Sequence, residues 1–385
     1  MALAFPDAYT IGMSHLGIQI FYHLLNRRAD VAAERVFCPL PDMEKMLREK
    51  GLPLVTLETF TPVRDHDLVA FSLQVELCAT NVLTMLDRAL IPMRAADRGA
   101  GDPIVIAGGP VASNPEPLAP FFDAFVAGDA EPVLDPLMDL LVAHKRAGRV
   151  DRAAFLREAA VQIPGIYVPS LYEERRGPDG RFAGLVPRFG DVPAAVEAAH
   201  VHDFGTDLCP DRPLVPYIET VHERVQLEIM RGCPWKCNFC QATGLKRPLR
   251  WRRAADLDEY AGRAYAATGF DEIALTSLST SDYPELEELV GRLAARFRGR
   301  HVSLSVPSLR VGEQTRTLPA LLRGTHQGGI TLAPEAGTER LRAVIDKRIL
   351  EEDLYANVRE AFREGFTHVK LYFMVGIPTE TDEAT

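Results

Sequence analysis

Short apolar runs of strand length alternate with segments of helical period through the first part of the chain. Residues 2–5, 68–72, 104–107 and 124–127 are near-continuous apolar stretches, while 19–25, 43–49, 76–89 and 133–147 carry apolar residues at helical spacing. Strict alternation of strand and helix predicts a parallel sheet covered by helices, a Rossmann-like α/β arrangement. From residue 151 to 223 the pattern weakens. Prolines stand at 164, 169, 178, 187, 193, 210, 213 and 216, and Arg176-Gly177-Pro178-Asp179-Gly180 reads as the turn of a hairpin. Beyond it, 225–230 alternates apolar and polar positions, and strand candidates recur at 272–276, 302–306, 329–332 and 368–374. Helical stretches at 256–268, 286–296, 318–322, 339–345 and 352–364 separate them, which predicts a parallel β/α barrel or part of one. The expected division is a Rossmann-like domain over 1–150, a linker with a small hairpin over 151–223, and a partial barrel over 224–385.

Composition adds little to this picture beyond exclusions. The chain has 385 residues and a net charge of −10, with apolar and charged fractions of 47% and 25%, those of an ordinary globular protein. The acidic balance argues against a broad electrostatic grip on nucleic acid. A local basic stretch, Lys246, Arg247, Arg250, Arg252 and Arg253, reads either as a solvated loop and helix start or as a site that neutralises an anionic substrate or positions a redox partner. The N-terminus lacks the basic segment and long apolar region of a secretory signal, and no apolar run is long enough to span a membrane. Six cysteines, three of them clustered, fit a reducing compartment better than a disulfide framework, so the chain reads as cytoplasmic.

The clustered thiols are Cys233, Cys237 and Cys240, in Cys233-Pro234-Trp235-Lys236-Cys237-Asn238-Phe239-Cys240. Three sulfurs on one tight loop can hold three corners of a 4Fe-4S cluster and leave the fourth iron open to another ligand. Two bland alternatives use the same residues. Cys209 or His222 could complete a structural zinc site, or Cys209 could close a four-cysteine electron-transfer cluster. Downstream, the expected strand ends are polar where a barrel core would be aliphatic. They carry Ser277 and Ser279 after the strand at 272–276, Arg310 after the next, then Glu335, then Gly376-Ile377-Pro378-Thr379-Glu380. Barrel sites lie at such carboxyl ends, and hydroxyls, an arginine and two glutamates suit a zwitterionic sulfonium nucleoside. In a purely structural reading, Thr338 caps a helix.

The cysteine spacing, with the aromatic Phe239 directly before the last cysteine, closely resembles the cluster loop of the radical S-adenosylmethionine (SAM) enzymes. In that family the free iron chelates the amino and carboxylate groups of SAM, and an electron from the cluster cleaves a carbon–sulfur bond to give a 5′-deoxyadenosyl radical. The resemblance implies that Cys233, Cys237 and Cys240 ligate a 4Fe-4S cluster. It further implies that Ser277 and Ser279 contact the methionine amino group, that Arg310 pairs with the carboxylate, and that Glu335 engages the ribose hydroxyls or sulfonium end. Phe239, Gly376 and Pro378 then lie near adenine. An external reducing donor such as flavodoxin or ferredoxin is implied as partner. The outcome is hydrogen abstraction from an unknown substrate, or methyl transfer if cobalamin binds; nucleic acid, a peptide and a small metabolite all stay open as substrates, and nucleic acid is not specifically indicated. The reading from a different class is a non-catalytic iron–sulfur electron carrier or a zinc-stabilised binding protein.

Over about the first 140 residues, the loops carrying Ser72, then Gly108-Gly109-Pro110, then Gly128-Asp129 resemble a cobalamin-binding-like domain. The Asp-x-His-x-x-Gly loop whose histidine binds cobalt in many such domains is missing. The nearest segment, Gly12-Met13-Ser14-His15-Leu16-Gly17, lacks the aspartate and the spacing. Cobalamin is therefore expected either without a histidine ligand or not at all, and His15 reads as a loop or helix-start residue. The whole pattern resembles an uncharacterised family of radical SAM proteins with such an N-terminal domain. Its members continue beyond this point, so the end at Thr385 is expected to be that of a fragment.

Overall fold

The computed structural model describes residues 1–148, 151–307, 309–312, 320, 322 and 329–384. The helix expected over 318–322 falls largely outside the described residues. The chain divides into two units, Met1–Val201 with Pro216–Val221, and His202–Val215 with His222–Thr385.

In the first unit β1 (Ala2–Phe5), β2 (Glu34–Phe37), β3 (Leu68–Ser72), β4 (Ile104–Gly108) and β5 (Ala124–Val126) run parallel in the order β2-β1-β3-β4-β5. A short β6 (Ile166–Tyr167) adds antiparallel to β5. The helices are α1 (Tyr9–Gly12), α2 (Leu16–Asn26), α3 (Pro41–Lys50), α4 (Ala79–Arg88), α5 (Glu131–Arg146) and α6 (Arg152–Gln162). Strands covered on both faces read as unbroken apolar runs, and Leu3, Val69, Val105 and Phe125 are all buried.

Two departures from the sequence pattern have physical causes. β2 begins with two charged residues, Glu34 and Arg35, that are nevertheless buried. Thr56 Oγ1 donates to Glu34 at 2.5 Å and Thr59 Oγ1 at 2.8 Å, while Arg35 Nε donates to Glu58 at 2.7 Å, so neither charge enters the sheet unsatisfied. Helix α6, within the segment expected to be a linker, starts at Asp151, whose carboxylate accepts from the N–H groups of Ala153 and Ala154. It buries Phe155, Leu156, Ala159 and Ala160. Its first residue, Arg152, shares Asp123 with Arg98 at 2.7 and 3.0 Å, and Asp123 also accepts from Val105 N–H, which fixes the amino ends of β4 and β5. The expected hairpin is present as β7 (Tyr172–Arg176) and β8 (Phe182–Pro187), antiparallel around the polar turn.

The second unit is a partial (β/α) barrel. β9 (Val225–Glu228) continues into β10 (Met230–Arg231), and β10 pairs antiparallel with β11 (Arg250–Trp251). β12 (Glu272–Thr276) lies between β9 and β13 (Ser303–Ser305), all parallel. β14 (Gly329–Glu335) and β15 (His368–Phe373) form a parallel pair, and a parallel bridge joins Leu309 to Leu332 of β14. The helices are α7 (Gln241–Leu245), α8 (Ala254–Thr268), α9 (Leu286–Phe297), α10 (Glu339–Val344) and α11 (Glu351–Arg363). Alternate residues of β9 and β12, Val225, Leu227, Ile273 and Leu275, meet Leu257, Ala261, Leu289 and Leu293 of α8 and α9 in one apolar core. An Arg296–Asp258 pair, 2.6 and 2.7 Å, ties those two helices together.

The end of β9 carries charge into this core. Glu228 accepts from Arg231 Nε and Nη2, both at 2.9 Å, and pairs with Arg252 Nη1 at 3.3 Å. The Arg252 side chain is 1% exposed and stacks on Phe204, 3.8 Å from guanidinium carbon to ring centre, while its Nε donates to Gly205 O at 2.8 Å. Burial alone would raise the Glu228 carboxyl, but the two arginine charges and their hydrogen bonds more than offset it and leave it below the usual value of 4.5.

A depressed carboxyl stabilises the fold above its unfolded pKa, and that contribution is lost as pH falls through the lower folded value. Glu228→Gln should therefore cost about 3–5 kcal/mol at neutral pH by leaving Arg252 uncompensated. It should also flatten the loss of stability with pH below 4.5, measured as denaturant midpoints across an acid series. In the first unit, Gly128 has φ +94°, and a Cβ there would stand 2.2 Å from the Ala199 carbonyl oxygen. Gly128→Ala should cost on the order of 3 kcal/mol through backbone strain and overlap. Gly108→Ala, whose Cβ would meet Val126 Cβ at an ordinary 3.6 Å, should cost within about 1 kcal/mol in the same denaturation assay.

Candidate functional site

The three cysteines lie on the loop between β10 and α7. The β10–β11 pairing, Met230 with Trp251 and Arg231 with Arg250, clamps the two ends of that excursion together. Inside it Cys240 N–H donates to Cys237 O at 3.0 Å, a turn that returns the chain into α7. Asn238 anchors the loop to the end of α10, its backbone N–H donating to Ile345 O and its side-chain amide to Val344 O, both at 3.0 Å. The three thiols are half-buried. Burial raises the Cys233 thiol, against the pull of the Trp235 backbone N–H.

Among the described residues no group of three or more His, Cys, Asp or Glu side chains is gathered round one point. The donor chemistry still fits an iron–sulfur cluster, because three thiols on a solvent-accessible loop supply three thiolates and nothing harder. Cys209 is a poor fourth ligand. It is buried in the apolar core of the second unit, and burial pushes its thiol up to about 11.

The carboxyl ends of β12 to β15 carry the remaining candidates. After β12, Ser277 Oγ shares a hydrogen bond with Thr280 Oγ1 at 2.9 Å, and Ser279 Oγ donates to Asp282 Oδ2 at 2.5 Å. The same carboxylate oxygen accepts the Trp235 indole N–H at 2.6 Å. Past β13, Arg310 is held by a bond from its backbone N–H to Ser281 Oγ, 3.0 Å. Its guanidinium carbon lies 3.7 Å from the Trp235 ring centre, and its Nη1 lies 3.9 Å from Cys237 Sγ. Ser279, Arg310 and the cysteine loop therefore form one connected set.

Glu335 ends β14 with φ +69°, a conformation unfavourable for a side-chain-bearing residue, and its carboxylate accepts from Lys347 Nζ at 2.9 Å. In the turn after β15, Glu380 accepts from Gly376 N–H at 2.5 Å and Ile377 N–H at 2.9 Å, while Ile377 is buried with Ala336, Leu341 and Ile345. Pro378 is exposed in that turn, and Phe239 is 45% exposed on the cysteine loop. Thr338 caps α10 by accepting from Leu341 N–H.

Sequence reasoning missed Asp282 as an anchor, Trp235 and Lys347 as partners of the candidate residues, and Asn238 as the tie between the cysteine loop and α10. Trp235 carried the one available signal, an aromatic side chain inside the cysteine loop. The basic stretch needs correction. Arg250 and Arg252 are buried and bonded to backbone carbonyls and Glu228, so they are structural rather than part of a patch for an anion, while Arg253, exposed at the start of α8 and paired with Asp256 at 2.8 Å, fits the solvated helix start.

In the first unit the sheet register brings Ser72 beside Gly108, and Gly108 beside Val126 ahead of Gly128. Ser72 Oγ accepts from Gln74 Nε2 at 2.9 Å. The close approach that Gly109 and Gly128 permit is to the chain's own backbone, Leu73 O in one case and Ala199 O in the other. His15 stands at the start of α2 with its ring 5.3 Å from that of Phe5. A cavity of about 970 Å³ opens instead at the amino ends of β4 and β5, near Asp123, Arg152 and Tyr167. It contains none of the candidate residues, and its acids and bases largely satisfy one another, as in Asp123 with Arg98 and Arg152. No helix among the described residues is long and apolar enough to cross a membrane.

Comparison with known proteins agrees with the cysteine loop. Residues 17–169 match the family model for the N-terminal region of radical SAM proteins, and residues 227–385 match that of the radical SAM superfamily. An uncharacterised protein of Methanocaldococcus jannaschii is 29% identical over 387 residues, covering 100% of this chain and 71% of that protein. Among solved structures, the radical SAM methyltransferase TsrM of Kitasatospora setae, determined with cobalamin and a 4Fe-4S cluster, aligns with 100% of this chain and 68% of its own, at 15% identity and a TM-score of 0.65. The cobalamin-dependent radical SAM enzyme OxsB, determined with aqua-cobalamin, aligns with 97% of this chain and 49% of its own, at 12% identity and a TM-score of 0.59. At such identities the solved structures share the fold, while the two family matches cover most of the sequence. The chain belongs to the radical SAM superfamily, as an enzyme in which an N-terminal region of the kind found in radical SAM proteins precedes the radical SAM domain.

Proposed function

We propose that this enzyme binds a 4Fe-4S cluster through Cys233, Cys237 and Cys240 and uses it to cleave SAM for hydrogen abstraction from a substrate carbon. The observation that carries this reading is the connected set at the loop, in which Arg310 and Ser279 reach the cysteines through Trp235 and Asp282. When bound, the cluster supplies the electron that breaks a carbon–sulfur bond of SAM, yielding methionine and a 5′-deoxyadenosyl radical. The work of the chain is to bind and orient. Ser277 and Ser279 offer hydroxyls to the methionine amino group, Arg310 offers a fixed cation to the carboxylate, and Glu335, held by Lys347, offers acceptors to the ribose hydroxyls. Phe239 and the Gly376–Pro378 turn supply the apolar contact for adenine. An external one-electron donor, a flavodoxin or ferredoxin, and a reducing compartment are part of this reading.

For the first unit we propose a cobalamin site at the carboxyl ends of β3 to β5, the usual crevice of such a sheet, with methyl transfer as the reaction when cobalamin is bound. The solved neighbours' bound cobalamin favours it. Without the histidine motif, the chain would hold cobalamin with no histidine on cobalt.

Anaerobically reconstituted and reduced protein should give a four-iron electron paramagnetic resonance signal that changes on adding SAM, with 5′-deoxyadenosine among the products. Ser in place of Cys233, Cys237 or Cys240 should abolish the signal, and Cys209→Ser should keep it. Loss of the cluster in Cys209→Ser, or a signal indifferent to SAM, would sink the reading in favour of a closed electron-transfer cluster. Glu380→Ala should loosen the turn at Gly376 and weaken SAM binding roughly tenfold, as expected for loss of charge-assisted hydrogen bonds, with iron content unchanged. Unchanged affinity by calorimetry would remove that turn from the site.

A further inference from the structure

We infer that Trp235 and Asp282 form a latch that holds the Arg310 guanidinium against the Cys237 sulfur, and that Arg310 thereby sets the reduction potential of the cluster. The inference rests on the reading of Cys237 as a cluster ligand and concerns a duty that precedes SAM binding.

Three separate chain segments meet in the latch. Asp282, beyond β12, accepts the Trp235 indole N–H at 2.6 Å and the Ser279 hydroxyl at 2.5 Å on one carboxylate oxygen, which fixes the plane of an indole that is otherwise 39% exposed. Arg310, beyond β13, stacks on that indole at 3.7 Å, and its backbone N–H is tied to Ser281 Oγ at 3.0 Å. A guanidinium stacked on indole keeps its edge free to donate, and tryptophan is the strongest of the aromatic partners for a cation. The edge turns to sulfur, with Nη1 3.9 Å from Cys237 Sγ.

Reduction adds one negative charge to the cluster and its thiolates. A fixed cation donating an N–H to a ligating sulfur stabilises that added charge, so it raises the potential, and hydrogen bonds to sulfur are among the levers that tune iron–sulfur centres. Asp282 is three contacts away from the sulfur, through Trp235 and Arg310, and acts as a positioning residue. If instead Arg310 served SAM alone, its loss would leave the SAM-free potential where it was.

The test is a potentiometric titration of the reconstituted full chain without SAM, followed by electron paramagnetic resonance, alongside calorimetric SAM binding and iron content. Arg310→Gln should move the midpoint to a more negative value at full iron content. The near-isosteric Asp282→Asn and Trp235→Phe should move it in the same direction by less. The latch can also be read with no cluster at all. The sequence has two tryptophans, so in Trp251→Phe apoprotein the emission reports Trp235, and Arg310→Gln or Asp282→Asn should change its intensity. An unchanged midpoint in Arg310→Gln with a full complement of iron overturns the inference, and weakened SAM binding in the same variant would assign Arg310 to the carboxylate alone. Unchanged apoprotein emission in both variants overturns the latch. Failure of the wild-type chain to assemble a four-iron cluster overturns the proposed function, and with it the tuning role, whatever the emission shows.

Discussion

The charge at the end of β9 is the constraint on which the second unit is organised. Glu228 leaves the core strand as a carboxylate, and its two arginines come from opposite ends of the cysteine excursion, Arg231 just before it and Arg252 just after. Arg252 is in turn fixed by Phe204, by Gly205 and by a Tyr283 hydroxyl that donates to its carbonyl at 2.7 Å. A loop rich in polar and exposed residues thus starts and finishes at positions set by a buried ion pair. Such pairs contribute little net stability compared with apolar packing, but breaking one is expensive, so they fix geometry.

From that base the polar groups at the strand ends become intelligible as a supported layer. Asp282, Lys347 and Glu380 each bond to a candidate ligand or its neighbour, and Asn238, inside the cysteine loop, bonds to Val344 O at the end of α10, at distances of 2.5–3.0 Å. Held side chains lose less freedom on binding than loose ones, which is how a site made from loops gains definition. The left-handed backbone at Glu335 belongs to the same layer. A residue strained in that way persists where its surroundings over-determine it, here by Lys347 on the side chain and by Met374 N–H on the carbonyl.

Much of the fold was legible in sequence because doubly covered strands such as β3 and β4 have almost no polar residues, and periodicity reports burial directly. β2 was not legible, since Glu34 and Arg35 look like surface residues until Thr56, Thr59 and Glu58 arrive from elsewhere in the chain. Helix α6 was hidden by prolines downstream and by an apolar face made partly of alanine. In the site, the cysteines and the polar strand ends were visible as spacing and composition. The contact between Trp235 and Asp282 spans 47 residues and leaves no local trace. Arg250 and Arg252 illustrate the converse case, where adjacency in sequence suggested a patch while the first, in β11, and the second, just after it, both bury their side chains.

The division of the chain into units is itself uneven. The first unit takes back Pro216–Val221 after His202–Val215 has already been given to the second, and the returning piece is tied by Tyr217 N–H to the Tyr9 hydroxyl at 2.8 Å. The polypeptide therefore passes between the units three times. Any single cut between residues 202 and 222 would strand a piece of one unit on the other's chain. As genetic parts, the two folds are not separable by a simple truncation, and a shuffled or transplanted version of either would have to carry this interleaved segment with it.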